Sequence, residues 1–80
     1  MKIQLLLFGI TVDLLGASFL DIEVSKNCTL ACLKTKLIIE YPQLDNINSY
    51  AFAINEEYAD DTITLYNNDV IAIIPPVSGG

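Results

Sequence analysis

The sequence predicts a single α+β domain with a mixed β-sheet and one main helix. The chain has 80 residues, 52% of them hydrophobic and 18% charged, which suits one small folded domain. Its first and last apolar segments, residues 3–8 and 70–74, are almost without polar residues, a pattern typical of central strands. Between them, Leu30, Leu33 and Leu37 recur at helical spacing.

The N-terminal quarter of the chain predicts two strands joined by a short helical turn. Residues 3–8 form the first strand, and residues 11–15 form a turn that Gly16 closes. In residues 18–24, apolar side chains alternate with acidic ones, which indicates a half-buried strand. We expect it to pair with the first strand as a hairpin.

The main helix has recognisable ends in the sequence. Residues 25–27 form a turn, after which Thr29 is suited to be the N-cap. Tyr41-Pro42 ends the helix, because proline disfavours helical geometry in the residue before it. Residues 43–49 are read as a polar loop.

The second half of the chain predicts the remaining strands. They are expected at residues 50–54, 62–65 and 70–74, with a short strand possible at Tyr58, and residues 67–69 form a turn. The order is β-β-α-β-β-β. The two most apolar strands, the first and the last, are expected to lie side by side and parallel at the centre, with the helix across one face.

The charge excludes several classes of function. Ten acidic residues against four lysines give a net charge of −6, which repels nucleic acids and acidic membranes and suits a basic protein partner. The chain has no histidine, so it cannot form a Ser–His or Cys–His nucleophile pair. Cys28 and Cys32 are too few for a metal site and are interpreted as small, buried or half-buried apolar residues.

The N-terminus resembles a secretion signal only loosely. Gln4 and Asp13 interrupt its apolar run, and no segment approaches the roughly 18 apolar residues of a membrane span. We therefore expect a cytoplasmic protein.

The last six residues, Pro75-Pro76-Val77-Ser78-Gly79-Gly80, predict an extended tail after a domain of residues 1–74. Proline cannot donate a ladder hydrogen bond, so Pro75 and Pro76 end the sheet. Gly79 and Gly80 lack a Cβ, so the backbone can enter a slot too narrow for side chains. A carboxylate at Gly80 needs activation to react, and the chain has no phosphate loop, metal site or acid–base pair for this.

The sequence resembles the ubiquitin-like sulfur carriers of the β-grasp fold, above all those of molybdenum cofactor synthesis. The resemblance lies in the strand Ile3-Gln4-Leu5-Leu6-Leu7-Phe8, in the helix pattern Thr29-Leu30-x-x-Leu33 followed by Tyr41-Pro42, and in residues 70–80. The family usually has Gly-Asp where this chain has Asn68-Asp69. Asparagine tolerates the left-handed conformation, so the departure leaves the expected β-grasp fold unchanged.

The resemblance implies a chemistry and a set of partners. An adenylating enzyme would use ATP to activate Gly80, and a sulfur donor protein would convert it to a thiocarboxylate. The tail would then enter the large subunit of molybdopterin synthase, in an expected heterotetramer, and give its sulfur to a cyclic pterin precursor. The chain itself would bind no cofactor or metal and would not catalyse.

The docking surface follows from strand alternation together with the resemblance. If the side chains of Leu5 and Leu7 face the helix, Phe8 faces away, and Ile74 does the same on the last strand. Family positions agree for Phe8, Tyr58 and Ile74 as partner-binding residues. The acidic residues nearby are read as a solvated loop; they are Glu56, Glu57, Asp60 and Asp61.

Other functions remain open from the sequence. A sulfur carrier of the thiamine pathway also ends in Gly-Gly. A ubiquitin-like modifier would use the same activation but form isopeptide bonds with lysines. A plain binding module with an inert tail would tolerate loss of Gly80.

Overall fold

The computed structural model describes residues 1–44, 46 and 49–76. Within these residues, seven helices and strands follow one another along the chain, and a 3₁₀ turn at Pro42–Leu44 follows the longer helix. In chain order they are β1 (Lys2–Leu7), α1 (Ile10–Leu15), β2 (Phe19–Glu23), α2 (Leu30–Glu40), β3 (Ala51–Ile54), β4 (Glu57–Tyr58) and β5 (Val70–Ile74).

The strands form one mixed sheet in the order β2-β1-β5-β3-β4. β1 and β5 are parallel, with Leu7 opposite Ile73, while β2 pairs with β1 and β3 pairs with β5 in the antiparallel sense. The parallel pairing of the first and last strands in the sheet interior is therefore confirmed. The arrangement is the predicted β-grasp fold.

The core lies between α2 and one face of the sheet. Leu30, Leu33 and Leu37 are fully buried, which confirms the helical stripe. The sheet contributes alternate residues of its two interior parallel strands, namely Ile3, Leu5, Leu7, Ile71 and Ile73. Burial of a large aliphatic side chain stabilises the fold by about 1.5–3 kcal/mol, so this layer is the main source of stability.

Both predicted ends of α2 are confirmed. The Thr29 hydroxyl accepts a hydrogen bond from the Cys32 N–H at 3.3 Å, as an N-cap should. At the other end, Tyr41 is the C-cap, and its N–H donates to the Leu37 carbonyl at 2.7 Å. Pro42 then begins the 3₁₀ turn.

The predicted strand at residues 62–65 is wrong. This segment makes a single isolated bridge, between Thr64 and Thr29, and its carbonyls are used by the start of α2. The N–H of Leu30 donates to the Ile63 carbonyl at 2.9 Å. Because the first N–H groups of a helix lack partners within the helix, a nearby loop can satisfy them. The edge strand is instead β4, at Tyr58.

Two smaller expectations also need correction. The polar loop at 43–49 begins in the 3₁₀ turn, where Leu44 is fully buried; residues 45, 47 and 48 lie outside the described residues. Cys28 and Cys32 are not two separate apolar side chains. They are joined as a disulfide with their Cα atoms 5.5 Å apart, Cys28 in the core and Cys32 exposed.

Candidate functional site

The predicted tail begins where β5 ends. Ile74 is the last residue of the strand, and Pro75 and Pro76 are the last described residues. Val77, Ser78, Gly79 and Gly80, which the sequence assigns to the tail, lie outside the described residues. The described part of the candidate site lies at the sheet edge where Pro75 follows β5.

Phe8 and Ile74 lie together at that edge. Leu7 is opposite Ile73 in the parallel ladder, so the next residues, Phe8 and Ile74, are neighbours. Leu7 and Ile73 are buried against α2, which turns Phe8 and Ile74 to the opposite face. Phe8 is 49% exposed and Ile74 is half-buried. The predicted strand alternation is confirmed.

Tyr58 is on the same face but at a distance. It lies on the edge strand β4 opposite Ala53, which in turn is opposite Ala72 of β5. Two strand spacings separate Tyr58 from Ala72, about 10 Å. Its side chain is 77% exposed. The structure thus brings Phe8 and Ile74 together and leaves Tyr58 at the far side of the surface.

A shallow groove lies on this face of the sheet beside Phe8. It is lined by Leu6, Phe8, Asn55, Glu56, Val70 and Ala72. We call the helix-free apolar surface of the sheet the outer sheet face; its members are Leu6, Phe8, Phe19, Tyr58, Val70, Ala72 and Ile74. An apolar surface of this kind on a small domain is typical of a protein interface.

Phe19 was missed by the sequence reasoning. It is the first residue of β2, opposite Leu6, and is 54% exposed. The signal was present in the alternation, because Phe19 has the same parity as the exposed Asp21 and Glu23.

The β3–β4 turn closes one end of the groove. Asn55 and Glu56 both have positive φ, 50° and 75°, as expected for a two-residue hairpin loop. The Asn55 side chain accepts a hydrogen bond from the Val70 N–H and donates one to Asp69, each at 3.0 Å. These bonds hold the turn against the start of β5 and place the acidic Glu56 on the groove.

Two of the other acidic residues of this region, Asp60 and Asp61, have local partners. Asp61 pairs with Lys34 of α2 at 2.6 Å. The Thr62 hydroxyl, and then its backbone N–H, donate to the Asp60 carboxylate and lower the pKa of that group. Asp60 and Asp61 therefore belong to the loop that covers the start of α2, while Glu56 contributes charge to the rim of the groove.

The described residues contain no group of three or more His, Cys, Asp or Glu side chains arranged to hold a metal ion. Among the helices in that part of the chain, none has the length and apolar character to cross a membrane. The outer sheet face offers apolar contact and a negatively charged rim, which suit binding rather than bond making.

Comparison with known proteins points to one family. Residues 5–80 match the ThiS family. The molybdopterin synthase sulfur carrier subunit of Arabidopsis thaliana is 34% identical over 80 residues, which cover 99% of this chain and 83% of that protein. The corresponding protein of Dictyostelium discoideum is 34% identical over 84 residues, 99% of this chain and 96% of its own length.

Solved structures agree with this. The complex of subunits 1 and 2 of molybdopterin-converting factor from Helicobacter pylori contains a chain that superposes with a TM-score of 0.73 and 27% identity, over 100% of both chains. The small archaeal modifier protein 1 of Haloferax volcanii has a TM-score of 0.85 at 19% identity, over 95% of this chain and 98% of that one, and shows the same fold. The chain belongs to the ThiS family.

Proposed function

We propose that the chain is a sulfur carrier subunit of molybdopterin synthase, with the tail as its reactive part and the outer sheet face as its docking surface. The observation that carries the proposal is their adjacency. Phe8 and Ile74, which are apolar and accessible, lie beside Pro75, from which the tail leaves. The relatives named as molybdopterin synthase sulfur carrier subunits support the same role.

The proposed chemistry takes place on the Gly80 carboxylate. A carboxylate oxygen attacks the α-phosphate of ATP on an adenylating enzyme, which gives an acyl adenylate and releases pyrophosphate. A sulfur donor protein then supplies sulfur to the acyl carbon, AMP leaves, and a thiocarboxylate remains. Activation is needed because a free carboxylate is a poor electrophile, and AMP is a good leaving group.

The sulfur is then transferred in the large subunit of the synthase. The thiocarboxylate sulfur attacks a carbon of a cyclic pterin precursor and displaces an oxygen leaving group, which gives a thioester with Gly80. Water then cleaves that thioester, so the sulfur stays on the pterin and the carboxylate is restored. A dithiolene contains two sulfur atoms, so each product consumes two charged carriers. In this scheme the chain binds no cofactor, and ATP is consumed by the adenylating enzyme.

The large subunit is the partner that we assign to the outer sheet face. Phe8, Tyr58 and Ile74 would provide apolar contacts, and Glu56 would face basic groups at the rim. Complementary charge raises association rates more than affinity, which suits a carrier that must bind and leave repeatedly. The Helicobacter pylori complex of subunits 1 and 2 supports a two-subunit arrangement for this fold.

We also propose that the chain is not an enzyme by itself and acts in the cytosol. It supplies the carboxylate that is charged, and the acid–base and phosphate-binding groups come from the partners. Its composition includes no histidine and a surplus of six negative charges, which favours a carrier over a catalyst.

The test is charging of the purified chain. With an adenylating enzyme for Gly-Gly carriers, ATP and a sulfur donor, the intact mass should increase by the difference between one sulfur and one oxygen. Deletion of Gly80 should abolish this and leave the melting temperature unchanged. The deletion keeps a terminal carboxylate but shortens the reach by about 3.3–3.6 Å, and misplacement by about 1 Å can cost 100-fold.

Two outcomes would contradict the proposal. Normal charging of the shortened chain would show that the Gly-Gly tip is not the reactive part. Covalent conjugates to protein lysines without any thiocarboxylate would instead identify a protein modifier.

A further inference from the structure

Gly9 lies directly against Pro75. A methyl group built on Gly9 would be 3.0 Å from Pro75 Cγ and 3.9 Å from Cδ. The register accounts for the closeness: the parallel ladder ends at Leu7 opposite Ile73, and Gly9 and Pro75 each follow that pair by two residues. Any side chain at position 9 would therefore push on the proline from which the tail leaves.

The backbone at Gly9 is held in a conformation that only glycine adopts readily. Its φ is 57° and its ψ is −133°, and it stands at the N-terminal end of α1. With a Cβ, residue 9 would have to leave this conformation or bear strain of about 1–3 kcal/mol. Both the backbone angle and the contact with Pro75 therefore require a glycine.

Hydrogen bonds fix the turn that carries Gly9. The Phe8 N–H donates to the Thr11 hydroxyl oxygen at 3.0 Å, and the Thr11 hydroxyl donates back to the Phe8 carbonyl. The Thr11 N–H donates to the same carbonyl at 3.2 Å, and the Thr11 side chain is fully buried. The turn from Phe8 to Thr11 is thus a rigid support for whatever lies against Gly9.

We propose that Gly9 is a positioning residue for the tail: the Phe8–Thr11 turn is a seat for Pro75 and sets where the reactive segment begins. This inference rests on the proposed function, because it assigns the contact a purpose in charging and sulfur transfer. Phe8 belongs to the same turn, so one hydrogen-bonded unit supports both the docking surface and the start of the tail.

The geometry explains why this position matters. In a complex, contacts of the outer sheet face would hold the domain on the partner, and the partner's narrow slot would hold the Gly79-Gly80 end of the tail. Pro75 must then lie where five further residues, at about 3.3–3.6 Å each when extended, reach the reacting centre. A shift at Pro75 moves the point from which the tail must reach that centre, where an error of about 1 Å can cost 100-fold in rate.

The experiment compares Gly9→Ala with Gly16→Ala. Gly16 also has positive φ, 72°, but a methyl group there would meet nothing within 4 Å. Charging by the adenylating enzyme and sulfur donor is measured as kcat and KM for the carrier. We expect Gly9→Ala to lower kcat by about 10–100-fold, with a smaller change in KM, because the substitution displaces the start of the tail and removes no side chain from the domain surface. Gly16→Ala should be charged like the unchanged protein. Equal kcat values for the two variants would overturn the inference.

Repeating the Gly9→Ala substitution in a Pro75→Ala protein separates the effect of the Gly9–Pro75 contact on kcat from the effects of backbone strain and of lost folding. Pro75→Ala removes the ring that Gly9 supports, so adding Gly9→Ala to it should cause little further loss of kcat. Coupled losses of this kind are the signature of two residues that act through one contact. Independent, additive losses would overturn the inference.

A spectroscopic readout does not depend on charging. In the unchanged protein, the Gly9 Hα protons should show a nuclear Overhauser effect to the Pro75 ring protons. Absence of this nuclear Overhauser effect would overturn the proposed contact between Gly9 and Pro75, even if charging is normal. A chain that shows the contact but is never charged would overturn the proposed function, and with it the purpose that we give to Gly9.

Discussion

Leu33 is a core residue whose truncation should lower the stability of the fold. It is fully buried at the middle of the α2 stripe. Leu33→Ala should lower the free energy of unfolding by about 2–5 kcal/mol, because the change removes transfer energy and leaves a cavity. Denaturant unfolding measures this. Ile39→Ala is the matched control on the same helix, since Ile39 is 73% exposed; its effect should stay within about 0.5 kcal/mol. Equal effects would show that the core is elsewhere.

Truncation of Phe8 should have the opposite effect: it should weaken partner binding and change the stability of the fold little. It is 49% exposed on the outer sheet face. Phe8→Ala should weaken binding to the large synthase subunit by about 1–2 kcal/mol or more, the range of an aromatic hot spot. Titration calorimetry measures the affinity, and the melting temperature reports the fold.

Ile39→Ala, on the solvent-exposed side of α2, is also the control for binding and should leave the affinity unchanged. A loss of folding in Phe8→Ala would assign this side chain to the core. An unchanged affinity would remove it from the docking surface.

At the scale of elements, the β3–β4 hairpin carries a residue ill-suited to its conformation. Glu56 has φ of 75° in the two-residue turn between Ile54 and Glu57. Glu56→Gly should raise the free energy of unfolding by about 0.5–1 kcal/mol, because glycine avoids the left-handed penalty but loses more chain entropy. Thermal unfolding measures it.

The neighbouring change Glu57→Gly is the control for this prediction. Glu57 lies in strand β4, where glycine should destabilise by about 0.5–1 kcal/mol. The two variants should therefore shift the melting temperature in opposite directions. A decrease with Glu56→Gly would mean that the carboxylate makes a stabilising contact in solution.

The elements also show what the sequence could predict. β1, α2 and β5 have strong apolar patterns of their own, and all three were found where their periodicity placed them. The segment at 62–65 has strand-like composition, but its backbone partners are the first N–H groups of α2. This pairing with α2 is a tertiary contact, and the local pattern of apolar and polar residues does not indicate it. The buried Leu44 was missed for the same reason, since its burial depends on packing under the end of α2.

Some residues of the candidate site could be predicted from the sequence, and others could not. Phe8 and Ile74 followed from alternation along two strands, because one buried face fixes the other. Phe19 has the outward parity of Asp21 and Glu23 in the sequence, but its place beside Leu6 required the register between β1 and β2. The contact of Gly9 with Pro75 required both the parallel register and the turn held by Thr11. Neither is visible from residue types alone.

At the scale of the whole molecule, the two faces of the sheet have separate roles. One face packs against α2 and supplies stability, and the other presents apolar side chains beside the point where the chain leaves β5. Substitutions on the outer sheet face can therefore change partner binding with limited effect on folding. The net charge of −6 adds a long-range preference for basic partners without altering this division.

The parallel pairing of β1 with β5 also sets the order of events during synthesis. Residues 2–7 are synthesised well before residues 70–74, which form their interior neighbour in the sheet. The sheet cannot close until that late segment is available, and non-local pairing of this kind is slow to form. A nascent or truncated chain without residues 70–74 exposes one side of β1 and remains a target for proteases and chaperones. The compact body therefore forms only after residues 70–74 are available, however much of the chain has been made before them.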